Sequence, residues 1–592
     1  MLQEWTQRNQ PLSFFDELKR RKVFRVGIAY VVGAWLIAQV AALVADSFLA
    51  PVWVMQLIIT LLVLGLPISL ILSWAFDLTA EGIKRTDYGE VTGSLLVSSK
   101  LILILVSGLF IAVAVTLYVT WPRGDRSIAV LPFEDIRPGG DQAYFGNGIA
   151  DELRLELQGL DGLRVAGRTS SIASAQEDSK TIGEILNVES ILAGSIRKEG
   201  NSVRITVQLT HVADGFTIWS ESYDRELKNI FEMQEEIATS VAGALGVRLG
   251  VGTINAFRGA GTQNVEAYEA YLQGHGRNLT RQERIRLFER ATELDPNYGA
   301  AWSYLAHRTL SMTWVSSPDQ ESEISEIKDR AYQLALRGVQ LNPESAATQR
   351  ALAMVRTARL DWIGGAQGFT RAIELLADRP IVATYGGALL RNGRIAYAQK
   401  QYAIAAALEP LGGLPVSLSW HASLAQGRFA EAKERSNWQV AANRIENNID
   451  IALNERDPEE IKAAMQAMPK TNVAAIALYA PVLAEFDSPE RILPMLRDVY
   501  LDENLQWPRK LHDIAMLAAY FGDPQFALKV KGQEVRVIAA RLGAVWYPVM
   551  SEVRQLPEFK ELVTDLNLVE YWRAYGWADA CRPLGDNDFT CM

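Results

Sequence analysis

The stretch AYQLALRGVQLNPESAATQRALAMVRTARLDWIGGAQGFTRAIELL, residues Ala331 to Leu376, decides the fold of the larger half of the chain, because it comes close to repeating itself. Ala331 returns as Gly365, then as Ala398 and Ala432, at steps of 34, 33 and 34 residues. Phe288, Ala335, Phe369 and Tyr402 follow one another at steps of 47, 34 and 33, each trailed three places later by a small residue: Ala291, Gly338, Ala372 and Ala405. The step of 47 is one repeat carrying an insertion near Trp314 to Glu321. Leu294-Asp295-Pro296, Leu341-Asn342-Pro343 and Leu408-Glu409-Pro410 punctuate the pattern with a residue that cannot continue a helix.

A period of ~34 residues, with small residues at close-packing positions and proline at the junctions, is the tetratricopeptide pattern of paired helices. Trp302, Leu305 and Ala306 fit the large-large-small face of a first helix, and Ala515, Gly522 and Ala527 mark a degenerate unit further on. No single unit buries its own apolar face, so residues 262–541 are expected to stack into an all-α solenoid with a concave surface that takes a protein or peptide. Tyr268, Tyr271, Trp302 and Phe369 read as core, and Asp319, Glu321, Glu323 and Glu326 as a solvated face. The pattern does not say which side chains line the groove.

At 592 residues the chain has room for two or three further domains. A net charge of -10 and the lack of a Lys/Arg-rich tract argue against an electrostatic nucleic-acid binder. Two cysteines, Cys581 and Cys591, cannot furnish a cysteine-based zinc site.

Residues 1–125 carry three apolar runs, about 26–49, 52–76 and 101–121. The last, LILILVSGLFIAVAVTLYVTW, has no charged side chain and matches the ~30 Å hydrocarbon core at ~1.5 Å per residue. The expectation is three transmembrane α-helices. Lys19, Arg20, Arg21, Lys22 and Arg25 precede the first run, and Lys84, Arg85 and Lys100 lie between the second and third. By the positive-inside bias both segments are cytoplasmic, against the opposing pair Arg123 and Arg126, which puts the large C-terminal region in the periplasm of a two-membrane bacterium. Gln39 and Asp46 are too few polar groups for a transport pathway, so the spans read as an integral-membrane anchor.

Residues 126–250 read as β-α-β-α-β-β-β-α, a mixed sheet covered by helices. SIAVLPF (127–133) is a buried strand, and Ile149, Leu153, Leu157 and Leu160 form a helical stripe. Ile191–Arg197, Val203–Val212 and Phe216–Tyr223 are strands, the middle one alternating as VRITVQL, and 227–249 is a closing helix. Gly146 and Gly148, where a helix opens, are a weak anion-binding candidate without the third glycine or lysine of the nucleotide fingerprints; Arg168, Thr169, Ser170 and Ser171 form an equally weak polar surface.

SIAVLPF, YFGNGIADEL, LRVAGRTSS, ILAGSIRKEGNSVRITVQLTHVADGFTIWSESYDREL and IFEMQEEIA together resemble the TolB amino-terminal-like, or FlgO-like, domain of bacterial envelope proteins. FFDELKRRKVFRVGIAYVVGAW and LGLPISLILSWAFDLTAEGIKR resemble the membrane module that begins many members, so the likeness runs from residue 13 to about 250. It implies tetratricopeptide repeats beside the domain. In relatives a cyclase or winged-helix effector precedes the membrane, and the short N-terminal segment here is expected to hold neither. LVEYWRAYGWADACRPLG (568–585) resembles the segment that closes the repeats in the same family, capping the last helices with Trp572 and Trp577 over 542–592. Cys581 and Cys591 favour a disulfide in an oxidising compartment and free thiols in a reducing one.

His211, His275, His307, His421 and His512 have no metal spacing, and no G-x-S-x-G elbow occurs. Asp151 and Glu152 are adjacent, so a helix points them apart. No enzyme, metal or cofactor is expected. The reading is a scaffold or envelope assembly factor presenting a protein-binding solenoid, with a sensory subunit related to cyclase-type receptors as the alternative.

Overall fold

The computed structural model describes residues 30–39, 62, 65, 76–79, 82–85, 126–137, 142–160, 162–246, 261–276, 279–314, 316, 320–409, 413–437, 441–469, 472–505, 507, 509–585 and 588–592. Two compact units divide the chain, 1–124 and 125–592.

In the first unit the expected membrane anchor is overturned, since no helix among the described residues is long and apolar enough to cross a membrane. Within the first run residues 30–39 are helical, with Tyr30 OH donating to Leu62 O at 2.7 Å. The second run ends in a strand, β1 (Phe76–Thr79), paired antiparallel with β2 (Gly82–Arg85). The third run, 101–121, lies outside the described residues. Apolar composition measures transfer preference and does not fix helix length, so three spans do not follow from three apolar runs. The inner-membrane and periplasmic placement rested on that count and is withdrawn with it.

The second unit opens with a mixed sheet in the order β5-β3-β6-β7-β8, with β4 also paired to β6. β3 (Ser127–Val130) runs parallel to β5 (Arg164–Val165) and to β6 (Ser190–Glu199), β4 (Glu134–Asp135) runs parallel to β6, and β7 (Ser202–His211) and β8 (Thr217–Glu226) add antiparallel. The alternation of β7 sends Val203, Ile205, Val207 and Leu209 inward, under helices α1 (Ala143–Gln158) and α4 (Ile230–Ala244). On the other face α3 (Ser179–Leu186), capped by Asp178, packs Ile182 and Leu186 on Ala129, Leu131 and Ile191. A short helix α2 (Arg168–Ser174) follows β5.

Among the described residues eight helical hairpins follow: α5 (Val265–Gly274) with α6 (Arg281–Leu294), α7 (Gly299–Leu310) with α8 (Glu321–Leu341), α9 (Ala346–Ala358) with α10 (Trp362–Leu375), α11 (Arg379–Arg391) with α12 (Ile395–Leu408), α13 (Gly413–Ala425) with α14 (Phe429–Ser436), α15 (Ala441–Glu455) with α16 (Pro458–Gln466), α17 (Val473–Ala484) with α18 (Pro489–Leu501), and α19 (Lys510–Tyr520) with α20 (Pro524–Val537). Starts are set locally by Thr280 and Glu283 in a capping box and by Asp361, Asp378, Asp457 and Asp523 as N-caps. Gly338 allows α8 to approach α7, since a Cβ there would lie 2.5 Å from Ser303 Oγ and 3.3 Å from Gly299 O.

Sheet domain and first hairpin share one core. Ile128, Leu192 and Ile237 belong to the same buried cluster as Tyr268, Tyr271, Phe288 and Leu305. Gln234 Nε2 donates to Tyr268 OH at 2.9 Å, Lys198 pairs with Glu269, and a Cβ on Gly148 would overlap Leu272.

The C-terminal segment does more than cap the last helices. Residues 539–546 run against the first helices α9, α11 and α13, and 548–550 against α15 and α19. Trp546 Nε1 donates to Arg391 O at 2.9 Å, Trp572 Nε1 to Asn392 O at 2.8 Å and Trp362 Nε1 to Leu566 O at 2.7 Å. These partners are far apart in sequence, so the chain fills the inner side of its own middle hairpins.

Candidate functional site, an arginine-lined clasp

Residues 539–546 contact α9 and α11, and the arginines of these two helices, Arg350 and Arg379, lie with those of α6 and α7 toward α1 and α2 of the sheet domain. Among the described residues the sheet domain meets the solenoid at α5, through Gly148 and Lys198, and at the fourth hairpin, through α2. At the second contact Arg379 Nε lies 2.6 Å from Glu409 Oε2, outside hydrogen-bond alignment, with side-chain exposures of 8% and 4%. Arg379 also donates from NH2 to Thr169 Oγ1 at 2.7 Å, while the Thr169 N–H reaches Glu409 Oε1 at 3.4 Å. Gly167 is required beside them, because a Cβ would overlap the Glu409 side chain.

Between the two contacts, arginines from both walls gather around His275 and His307. Burial pushes His275 down to about 3, reinforced by Arg168 from the sheet domain and by Arg308, Arg284 and Arg350 from the hairpins. His307 is driven well below its ordinary range by burial and then by Arg350 and Arg308. Burial, with Arg284 next, holds the Arg308 guanidinium below its usual value, and its Nε is buried without a hydrogen-bond partner among the described residues. Both imidazoles are therefore neutral at pH 7.

Counter-charge is scarce. Arg168 is paired with Asp151, and Arg379 with Glu409. Arg284 NH1 donates to Gly274 O at 3.3 Å. Among the described residues neither Arg308 nor Arg350 has a carboxylate within ion-pair distance; Asp378, whose own carboxyl is raised by burial, acts with Arg350 only at longer range. Nearby Glu152 is pushed up to about 7 by burial and by Asp151, and Glu156 to about 8 by burial and by Glu152. Both carboxyls are thus held above the ordinary carboxylate range. No group of His, Cys, Asp and Glu able to hold a metal occurs among the described residues.

Gly146 and Gly148 are interior to α1, which starts at Ala143, so they are not at a helix N-terminus. Gly146 instead lets α1 lie on Phe133 O and Ile196. Arg168 and Thr169 do enter the clasp, whereas Ser170 and Ser171 are buried. Phe288, Ala291, Ala331, Ala335, Phe369, Ala372, Ala398, Tyr402, Ala405 and Ala432 are buried, and Gly365 sits against Thr357 and Ala353. Trp302 is only half-buried, its Nε1 donating to Pro296 O at 3.0 Å. Cys581 and Cys591 are disulfide-bonded across the hairpin of β9 (Cys581–Leu584) and β10 (Asp588–Cys591). Sequence reasoning missed Arg308, Arg350 and Arg379. Their available signal was one arginine on each of three consecutive first helices, hidden by the chain's negative total.

No family model matches the chain. Over 189 residues it is 34% identical to "Putative adenylate cyclase 3" of Rhizobium meliloti (strain 1021), a match covering 30% of this chain and 32% of that protein. The chain thus spans about a third of the curated relative's length. Among solved structures, the tetratricopeptide-repeat domain of P58(IPK) aligns over 53% of this chain and 94% of that one, at 11% identity and a TM-score of 0.17. A score that low bears no weight; the solenoid is read from its own helices.

Proposed function

We propose that this protein is an interaction scaffold whose partner engages the clasp between the sheet domain and the first four hairpins. What supports the reading is that the C-terminal segment covers part of the inner surface, while Arg308 and Arg350 beside the sheet domain have no carboxylate within ion-pair distance among the described residues. The resemblance of residues 126–250 to TolB-like domains is consistent with a module that docks other proteins. A photo-crosslinking amino acid placed at His307 or Arg350 should trap a discrete protein in intact cells, and the same probe at outward-facing Glu293 should not. Identical adducts from all three positions would count against the proposal.

A second reading, a regulatory component acting through a separate effector, draws on the 34% identity to a protein described as a cyclase. Deleting the chain would then change cyclic-nucleotide levels in its host. Unchanged levels would leave the scaffold alone.

A further inference from the structure

We infer that two copies of this chain pair through the free edge of the mixed sheet, strand β8 running antiparallel to β8 of the second copy about a two-fold axis at Tyr223. β8 is the last strand of the sheet, whereas at the opposite margin β5 is two residues long and leads into α2. Leu227 N–H donates to Asn201 O at 2.7 Å, which phases the ladder between β7 and β8. Odd-numbered residues from Trp219 to Arg225 therefore turn their N–H and C=O groups toward β7. Ser220, Ser222, Asp224 and Glu226 turn theirs outward, where no strand lies among the described residues. An open row of donors and acceptors on a strand of 10 residues is a template for another strand. Proline and lysine, which blunt such edges, do not occur in TIWSESYDRE (217–226), and the register shift at Leu209 and Thr210 leaves Trp219 to Glu226 regular.

The edge selects a second copy because its side chains complement themselves. A two-fold axis normal to the sheet keeps the two faces of each copy together, so only residues on the same face stand opposite one another. With the axis at Tyr223, Ser222 meets Asp224 and Ser220 meets Glu226, and each such pair of outward residues exchanges two backbone hydrogen bonds. Glu221 then stands opposite Arg225 of the second copy, in the alternate positions where antiparallel side chains come closest. An axis at Glu221, Asp224 or Arg225 sets like charges against each other, and one at Ser220 or Ser222 brings no opposite charges together. Both members of the proposed pair are exposed and loosely held within their own chain: Arg225 lies 3.7 Å from Glu236 and donates to Asp224 O at 3.1 Å, and Glu221 accepts from Tyr223 OH at 3.0 Å.

The test is sedimentation equilibrium of the full chain across about 1–100 μM, which should show reversible monomer–dimer exchange. Glu221→Arg replaces two attractions in each dimer by two repulsions and should raise the dissociation constant about tenfold, as should Arg225→Glu. Mixed in equal amounts, the two variants again set opposite charges face to face, and should associate as tightly as the parent. Arg197→Glu, on an exposed pair with Glu199 of the same sheet, should leave the constant unchanged. A parent that stays monomeric throughout, a dimer indifferent to both reversals, equal weakening by Arg197→Glu, or a mixture as weak as its components overturns the inference. Should a reversed variant melt early, Glu221→Gln and Arg225→Gln take its place, and an unchanged dissociation constant in both is then the refuting result.

Discussion

Arg379→Met tests whether the sheet domain is held to the fourth hairpin by charge. The substitution removes a guanidinium lying 2.6 Å from Glu409 Oε2 and donating to Thr169 Oγ1 at 2.7 Å, and keeps most of the side chain's volume. Glu409 is then left with the Thr169 N–H at 3.4 Å, in a place where 4% side-chain exposure denies it water. Removing one member of a buried pair typically costs ~3–5 kcal/mol. Because the Arg379 Nε contact is outside hydrogen-bond alignment, the lower end applies, and the expected loss is about 3 kcal/mol. Arg379→Met with Glu409→Met removes both charges together and should recover most of it, a coupling of at least about 2 kcal/mol. Urea unfolding gives the global figure, and amide exchange at residues 167–174 and 405–409 shows whether the contact opens locally before the rest. If the single variant matches the parent in both measurements, the contact is not what holds the clasp closed.

Three further outcomes follow from the same structure. Glu152 and Glu156 have folded values near 7 and 8 against an ordinary 4.5, so the folded state holds the extra protons and the stability they confer is full at low pH and lost as pH rises through that range. The melting temperature should decline between about pH 4.5 and about pH 8, and Glu152→Gln with Glu156→Gln should flatten the decline. Reduction of Cys581–Cys591, or their replacement by serine, should lower stability by about 2.5–3 kcal/mol on loop-closure grounds, visible in the fluorescence of Trp572 and Trp577. Gly338→Val drives a side chain into Ser303 Oγ and Gly299 O and should cost ~1–3 kcal/mol in thermal melting; an unchanged melt would show that α7 and α8 part without penalty.

The repeats were legible because their physics is local and periodic: small residues at helix crossings and a proline at three of the junctions leave a mark each ~34 residues. The strands of the sheet domain showed themselves by alternation for the same reason, as β7 illustrates. The apolar runs of residues 1–125 misled where hydropathy was asked to report spanning helices, none of which occurs among the described residues. Gly146 and Gly148 likewise proved to be packing glycines, an assignment that depends on Phe133 and Leu272. Amino-acid order alone therefore determined that this protein is a mixed sheet followed by stacked helical pairs. Only the tertiary structure decided that the chain fills its own middle hairpins and that Arg168, Arg284, Arg308 and Arg350 meet around His275, because those residues are brought together by superhelical stacking and a shared core, and pairwise distances over some 180 residues leave no period to read.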